Sequence, residues 1–423
     1  MAKPIRVVAL VAVAALGLAA CGGSSGGSGG SGDAKTLIIS TDLPLQGSSK
    51  DASDAANNAI ELYLQQVGNK AGSFTVKLKK YDDSTAAAAK WESGKCQANA
   101  NEHVQTKGEV AIMGTYNSGC AKLEVPILNQ DPSGPMVMIS HANTNPGLTK
   151  VANGSEPGEP EKFYPTKVRN FGRVVTTDDV QGQAAASFAA RDLAIKSVYV
   201  LNDNETYGQG IANSFAEQAK KQGVKVIANE AWDGKATSYT ALFQKIKATS
   251  PDAVYFGGVF DNNGGLLTKD KVAVLGDNAV VKLIAPDGFT GYPDFVKMPE
   301  AQGAYLTFPG LAPSLLRATG GPGAKVLDAY KAKYGSDPKS NYALYGVASV
   351  QVILAAIEKS DGTRKGVQQA IFSGEGITIP AAQSVLGKEL KIDPKTGDAN
   401  FKDVLVEVVK GNAEEPLKSV TVS

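Results

Sequence analysis

The strongest constraint on the fold is an alternation of two patterns along the chain. From residue 36 to about residue 307, short apolar runs such as 36–41 (TLIIST) alternate with longer amphipathic stretches such as 52–67. The first pattern predicts buried strands and the second predicts helices with one apolar face. Such alternation is typical of α/β folds with mainly parallel sheets flanked by helices. The strands are too many for one compact sheet, so we predict two α/β lobes. After residue 307 the alternation weakens, and 388–409 reads as a β-hairpin.

The N-terminus reads as an export signal. Lys3 and Arg6 precede 14 uncharged residues at 7–20, a run shorter than the roughly 20 residues that span a bilayer. The run ends in Leu-Ala-Ala before Cys21, which resembles a bacterial lipobox, and 22–32 contains only Gly and Ser. We therefore predict a signal peptide at 1–20 and, at 21–33, a lipidated Cys21 with a flexible tether. The alternative is an ordinary Ala-x-Ala cleavage site with Cys21 present by chance. Either way, the chain is expected outside the cytoplasm, and lipidation would anchor it to the outer face of the cytoplasmic membrane or on the periplasmic side.

Two cysteines remain once Cys21 is assigned to a lipid. Cys96 and Cys120 are 24 positions apart, and export would place them in an oxidising compartment. We expect a disulfide between them. Two buried free thiols are the alternative.

Composition argues against several classes of function. The 43 basic and 42 acidic residues give a net charge of +1, whereas nucleic-acid-binding proteins carry a basic excess. The only histidines are His103, expected at the surface, and His141, expected to be packed and hydrogen-bonded. Two histidines and three scattered cysteines leave little for a metal site, and the chain contains neither a Gly-x-Ser-x-Gly elbow nor a phosphate-binding loop. We expect no enzyme activity, no cofactor, no metal and no nucleic-acid partner.

Eight short segments, in order along the chain, resemble one family. They are 43–47 (LPLQG), 81–83 (YDD), 114–119 (GTYNSG), 139–149 (ISHANTNPGLT), 178–182 (DDVQG), 207–210 (YGQG), 251–258 (PDAVYFGG) and 286–288 (PDG). The family is that of the type I periplasmic binding proteins of branched-chain amino acid ABC transporters.

The resemblance implies a two-lobed clamshell with three hinge crossovers and the ligand between the lobes. Lobe 1 would comprise 34–175 plus 308–380, and lobe 2 would comprise 176–307 plus 381–423. The implied function is capture of a branched-chain or related amino acid by a monomeric lipoprotein and its delivery to an ABC permease. The alternative is a ligand-sensing binding protein for amides, urea or small aromatic acids.

A free amino acid needs a partner for its carboxylate, because an unpaired buried charge is costly. Ser118 follows a strand at the start of a predicted helix, where backbone N–H groups bind anions. Thr144, with Asn143 beside it, lies in a loop after a strand, where ligands of α/β sheets bind. The alternatives are a helix cap at Ser118 and an ordinary turn at Thr144.

The ammonium group needs an acid. Asp287 follows a predicted strand and matches the family's acidic position on the second lobe, although a solvated turn residue is the alternative. Tyr207 is expected to close over the ligand, and Phe260 is a candidate apolar wall. Tyr116 and Gln46 are further candidates for lining the pocket, while Asp178 is expected to shape the rim near the hinge.

Overall fold

The computed structural model describes residues 35–422. The predicted signal peptide, Cys21 and the Gly/Ser tether lie outside these residues. Within 35–422, no helix combines the length and the apolar character needed to cross a bilayer.

The first part of the chain alternates strands and helices around one sheet. Its elements are β1 (Thr36–Leu43), α1 (Lys50–Gln66), β2 (Lys70–Ala71), β3 (Phe74–Asp82), β4 (Ser84–Thr85), β5 (Lys90–Trp91), α2 (Ser93–Gln105), β6 (Glu109–Gly114), α3 (Ser118–Asn129), β7 (Val137–Ser140) and β8 (Phe171–Arg173). The sheet order is β2-β3-β1-β6-β7-β8, and every pair is parallel except β2–β3.

The middle of the chain builds a second sheet in the same way. Its elements are α4 (Asp178–Arg191), β9 (Ser197–Asn202), α5 (Thr206–Lys221), β10 (Lys225–Ala231), α6 (Thr240–Lys247), β11 (Ala253–Gly257), α7 (Gly264–Leu275), β12 (Lys282–Ala285), α8 (Pro293–Lys297) and β13 (Tyr305–Phe308).

The last part returns to the first lobe and then crosses once more. Its elements are α9 (Pro313–Ala318), α10 (Gly321–Tyr334), α11 (Ala343–Glu358), α12 (Arg364–Phe372), β14 (Thr378–Ile379), β15 (Leu390–Lys391), β16 (Asp403–Lys410) and β17 (Ala413–Thr421). The second sheet has the order β10-β9-β11-β12-β13-β16-β17, in which only the last two pairs are antiparallel. The predicted α/β class with mainly parallel sheets in two lobes is therefore confirmed.

Thr176 forms hydrogen bonds between the segments that cross from one lobe to the other. The chain passes between lobes after β8, after β13 and just before β16. The Thr176 N–H donates to the carbonyl of Pro309 at 3.2 Å, and its hydroxyl donates to the carbonyl of Asp403 at 2.9 Å. One residue thus hydrogen-bonds to all of the crossing segments, which is the arrangement expected of a hinge.

The third crossing lies later than the sequence predicts. Val385, Leu386, Leu390 and Ile392 pack in the hydrophobic core of lobe 1, whereas the predicted boundary placed residues from 381 onward in lobe 2. The predicted hairpin over 388–409 forms only around its turn, where Ile392 bridges Ala399. Its two long arms do not pair with each other, because β15 pairs with β14 in lobe 1 while β16 pairs with β13 and β17 in lobe 2. Both halves have strand-like sequences, and only their packing decides which sheet each one joins.

The sequence pattern over 85–106 predicts a single helix, but the observed helix covers only the second part of this range. Residues 84–91 form the small β4–β5 hairpin, with Ala89 in the left-handed region at φ 51°, and α2 begins only at Ser93. The alanines in this segment favour a helix by intrinsic propensity. The segment nevertheless forms the hairpin, which contacts the second lobe.

Cys96 on α2 and Cys120 on α3 form a disulfide, as the sequence predicts, with their Cα atoms 5.6 Å apart. Both residues are fully buried. The bond fixes the first turn of α3 against α2.

Candidate functional site

A small cavity lies between the two lobes, at the carboxyl ends of strands from both sheets. Its volume is about 20 Å³, which is room for one water molecule. Lobe 1 contributes Tyr116, Asn117, Ser118, Ala142 and Tyr342, and lobe 2 contributes Tyr207, Val259, Asp287 and Gly288. Ligands of open α/β sheets bind at this edge, so the cavity is the candidate site.

The N-terminus of α3 forms one wall of the cavity. Asn117 is the N-cap of this 12-residue helix, and Ser118 is its first residue. The first N–H groups of a helix have no acceptor within the helix and bind anions well. The Ser118 hydroxyl accepts a hydrogen bond from the Asn145 N–H at 3.4 Å, and the Asn117 side chain makes no capping bond. Ser118 is therefore not the helix cap, and this wall presents donors suited to a carboxylate.

The loop after β7 is buried behind this wall. Arg173 holds it in place by donating to the carbonyls of Asn143 and Asn145 at 2.7 and 2.9 Å. The Asn143 amide donates to the carbonyl of Tyr116 at 3.0 Å. The Thr144 hydroxyl and the Asn143 Oδ1 atom have no hydrogen-bond partner among the described residues. Both residues lie next to the cavity without lining it. Their unpaired polar atoms can therefore contact only a ligand that is larger than the present cavity.

Asp287 lies in the opposite wall of the cavity, and its carboxylate accepts hydrogen bonds at both oxygens. Its Oδ1 atom accepts from Gln181 and from the Tyr207 hydroxyl, both at 2.7 Å, and its Oδ2 atom accepts from the Tyr342 hydroxyl at 2.6 Å. Burial raises the pKa of Asp287, while these donors lower it in part. Three donors orient the carboxylate, but among the described residues no basic side chain pairs with it.

Asp178, the first residue of α4, is a second buried carboxylate near Asp287. Its N–H donates to the carbonyl of Thr144 at 3.0 Å, across the lobes. Neither carboxylate oxygen has a hydrogen-bond partner among the described residues. Burial and the nearby Asp287 raise the pKa of Asp178 well above its usual range. Arg173 offsets the raised pKa of Asp178 only in part, so two buried acids on this side favour a positively charged group.

Aromatic side chains complete the site. The rings of Tyr116 and Tyr342 contact each other edge to face, with centroids 5.7 Å apart, and His141 lies 5.7 Å from Tyr342. Burial lowers the pKa of His141 to about 3, so this ring is neutral. As predicted, His141 is packed, but its two nitrogens have no hydrogen-bond partner among the described residues.

Four of the predicted residues line the cavity together: Ser118, Tyr116, Tyr207 and Asp287. Two others do not. The Gln46 amide donates to Asp82 at 2.8 Å on the surface of lobe 1, and the Phe260 ring packs against Tyr292, with centroids 5.1 Å apart, in an aromatic cluster of lobe 2. Both residues follow a strand closely enough to reach the site. Their side chains nevertheless contact Asp82 and Tyr292 instead of the cavity.

Sequence reasoning missed Tyr342 and Gln181. Tyr342 comes from the C-terminal third of the chain, just before α11, and nothing local marks it as a site residue. Gln181 lies one turn into α4 within the segment 178–182, which drew attention only to Asp178.

Comparison with known proteins identifies the family. Residues 42–412 match the model of a family described as periplasmic binding protein. The chain is 28% identical over 339 residues to an amino acid binding protein of Pseudomonas aeruginosa, covering 78% of each chain. It is 27% identical to the Leu/Ile/Val-binding protein BraC3 of Rhizobium johnstonii, covering 80% of this chain and 83% of that one.

Solved structures share the fold. The leucine binding protein LivK of Thermotoga maritima superposes with a TM-score of 0.73 at 21% identity, covering 91% of this chain and 99% of that one. A solute binding protein of Rhodopseudomonas palustris in complex with p-hydroxybenzoic acid gives a TM-score of 0.74 at 16% identity, covering 92% and 97%. The family match spans most of the chain and includes both lobes and the cavity between them, so this protein belongs to the periplasmic binding protein family.

Proposed function

We propose that this protein binds a free α-amino acid, branched-chain or related, between its lobes and delivers it to the permease of an ABC importer. The observation that carries the proposal is a cavity with two different walls: the N-terminus of α3 with Ser118 lies on one side and Asp287 lies on the other, with the buried Asp178 nearby. An α-amino acid carries a carboxylate and an ammonium group close together. The relatives named for amino acid binding support the same ligand class.

Each group of the ligand has a partner in this arrangement. The carboxylate accepts from the first N–H groups of α3 and from the Ser118 hydroxyl. The ammonium donates to Asp287 and to the unpaired carboxylate of Asp178. The side chain contacts the rings of Tyr116 and Tyr342 and the apolar Val259. Tyr207 and Gln181 act through Asp287, whose orientation they hold.

Capture requires the lobes to separate. The cavity of about 20 Å³ is far smaller than an amino acid, so the ligand enters an open state and closure around the hinge encloses it. The ligand favours the closed state only through contacts that both lobes must make. Donors from lobe 1 and acids from lobe 2 supply such contacts, and the closed surface then reports occupancy to the permease.

We also propose that the exported chain is a monomer anchored by a lipid on Cys21. The sequence Leu-Ala-Ala-Cys after an apolar run supports this anchor. Replacing Cys21 by Ser is expected to leave ligand affinity unchanged and to release the protein from the membrane fraction. A Cys21→Ser variant that stays in that fraction would rule out the lipid anchor.

The test is calorimetry with the mature protein and a panel of amino acids, led by Leu, Ile and Val. Asp287→Asn keeps the size of the side chain but removes its charge, and we expect about a 100-fold loss of affinity, or about 3 kcal/mol. The matched control is Asp294→Asn, because Asp294 is an exposed acid of the same lobe. Circular dichroism checks that both variants fold. Wild-type affinity in the folded Asp287→Asn variant, or no binding of any amino acid, would contradict the proposal.

Small aromatic acids are the second candidate. Three tyrosines line the cavity, and structures of similar fold hold benzoate and hydroxybenzoates. A benzoate has no ammonium group, so it would leave both carboxylates unpaired. Asp287→Asn should therefore weaken leucine but not benzoate, and the opposite pattern would favour the second candidate.

A further inference from the structure

A second group of ionisable side chains lies inside lobe 1, separate from the interlobe cavity. Its members come from β1, the end of β3, α2, β6 and α3, and each is at most 1% exposed: Asp42, Asp83, His103, Glu109 and Glu124. The group therefore contains four carboxyl groups and one imidazole. The expectation that His103 lies at the surface is wrong, because its ring packs on Tyr81 with centroids 4.0 Å apart.

Two of the four carboxylates have donors. Asp42 accepts from the Asn99 amide at 2.9 Å and from His103 Nε2 at 3.1 Å. Glu109 accepts from the Tyr81 hydroxyl at 3.2 Å and also faces His103 Nδ1 and the Ser40 hydroxyl. The imidazole thus bridges Asp42 and Glu109, and among the described residues it is the only basic side chain that hydrogen-bonds to the cluster.

The other two carboxyl groups have no donors among the described residues. Both oxygens of Asp83 and the Oε2 atom of Glu124 are buried without a hydrogen-bond partner. The Oε1 atom of Glu124 lies 3.3 Å from the sulfur of Cys120, but a disulfide sulfur carries no proton to donate. Burial and the neighbouring Asp42 raise the pKa of both groups well above the usual range. Leaving two such groups charged and unpaired costs several kcal/mol each.

We propose that this cluster binds a divalent first-row metal ion, Zn²⁺ or Mn²⁺, through Asp42, His103 Nε2 and Glu124. One ligand atom from each of Asp42, His103 and Glu124 lies within 4.8 Å of the other two. Carboxylate oxygens with one imidazole nitrogen suit these metals. The ion offsets part of the negative charge of the four buried carboxyl groups in the cluster.

The surroundings of His103 match those of a metal ligand. A ligating histidine usually donates its second ring N–H to a carboxylate, which fixes the tautomer. Here Glu109 occupies that position and is itself oriented by Tyr81 and Ser40. Metal binding displaces the proton on Nε2, and the interaction between Nδ1 and Glu109 remains.

The metal has a structural role, because all of its ligands are buried and no position faces solvent. It joins β1, α2 and α3 next to the disulfide that already links the two helices. The sequence predicts no metal site because it contains few histidines. The fold, however, brings carboxyl groups from distant parts of the chain together. The proposed metal site does not depend on the identity of the ligand in the interlobe cavity.

The test measures metal content after refolding. The mature protein, with its disulfide intact, is unfolded in guanidinium chloride with EDTA, then refolded with Zn²⁺, with Mn²⁺ or with EDTA, and dialysed. We expect stoichiometric metal by plasma mass spectrometry after refolding with one of the two ions. The melting temperature should be higher by several degrees than in the EDTA sample.

Glu124→Gln keeps the shape of the side chain but removes a metal ligand. This variant should fold, retain less than about a tenth of the metal and lose the difference in melting temperature. The matched control is Glu102→Gln on α2, whose exposed side chain does not touch the cluster, and it should behave as the wild type. If Glu124→Gln does not fold, Asp42→Asn provides the same comparison, because Asp42 is another ligand of the proposed site. Wild-type protein without stoichiometric metal, or a folded variant that retains it, would overturn the proposal and leave protons to neutralise the cluster.

Discussion

At the scale of single residues, the two acids of the interlobe site show how much depends on neighbours. Asp287 and Asp178 are both buried, but Asp287 has three hydrogen-bond donors and Asp178 has none on its side chain. Asp287 was singled out because it follows a predicted strand and matches the acidic position of the family that the sequence resembles. Asp178 begins a helix, where an acid usually faces solvent and caps the N-terminus. Its burial comes from the other lobe, which the local sequence does not describe.

Glu407 gives a pH-dependent prediction. It lies on β16, accepts from the Asn341 amide at 3.2 and 3.0 Å, and has Glu414 as a nearby acid. Burial raises the pKa of Glu407 from 4.5 to about 7. Below about pH 4.5 the group is protonated in both states and has no effect. Between there and about pH 7 only the unfolded chain loses the proton, so the fold loses up to roughly 3 kcal/mol.

Glu407→Gln cannot ionise and should remove this loss. The free energy of unfolding, measured in urea from pH 4.5 to 8, should therefore rise in the variant relative to the wild type until about pH 7 and then stay constant. Glu415→Gln, an exposed acid on β17, serves as the control. Parallel curves for the wild type and Glu407→Gln would show that the Glu407 pKa is not raised.

At the scale of elements, the disulfide supports the helix whose N-terminus lines the interlobe cavity. Cys96 and Cys120 enclose a loop with a sequence separation of 24, and closing such a loop stabilises a fold by about 3–4 kcal/mol in the chain-entropy model. The double variant Cys96→Ala/Cys120→Ala should lose about this amount in urea unfolding. Reductant should lower the stability of the wild type to the same level and leave the variant unchanged. A variant as stable as the oxidised wild type would contradict this role.

The β4–β5 hairpin is a latch between the lobes. Lys90 Nζ lies 2.8 Å from Glu205 of lobe 2, and the Trp91 indole donates to the same carboxylate at 3.1 Å. Lys90 is 33% exposed and Glu205 21%, so the pair is partly screened by solvent. Lys90→Ala should therefore weaken ligand binding by about two- to fivefold, mainly through faster dissociation.

Stopped-flow release of the ligand measures this effect. Trp91 at the latch and the buried Trp232 are the only tryptophans in the chain, so Trp232→Phe leaves a fluorescence signal from the latch alone. The matched control is Lys245→Ala, which removes an exposed ion pair with Glu230 within lobe 2. Equal dissociation rates for Lys90→Ala and Lys245→Ala would exclude a latch.

At the scale of the whole molecule, the structure predicts that binding and closure are one event. A ligand that contacts both lobes should reduce the radius of gyration in small-angle scattering. At a concentration 100 times its Kd it should also raise the free energy of unfolding by about 2.7 kcal/mol. Stabilisation without a smaller radius would show that ligand binds without the hinge motion proposed here.

The sequence by itself predicted the class of fold and the pairing of Cys96 with Cys120, and together with the family resemblance it pointed to Ser118 and Asp287, which line the interlobe cavity. Strand and helix periodicity, and the position of a residue after a strand, are local properties and can be read from neighbours in the chain. Export and the lipid on Cys21 are also sequence predictions, and they lie outside the described residues.

The tertiary structure alone decided where distant segments meet. It placed Val385, Leu386, Leu390 and Ile392 in the core of lobe 1 and brought Tyr342 to Asp287. It also turned Phe260 away from the cavity and collected the buried acids around His103. These outcomes depend on contacts between segments far apart in the chain, because burial and pairing are set by how the elements pack. The same local sequence can end a strand at the surface or inside a binding site, and only packing distinguishes the two.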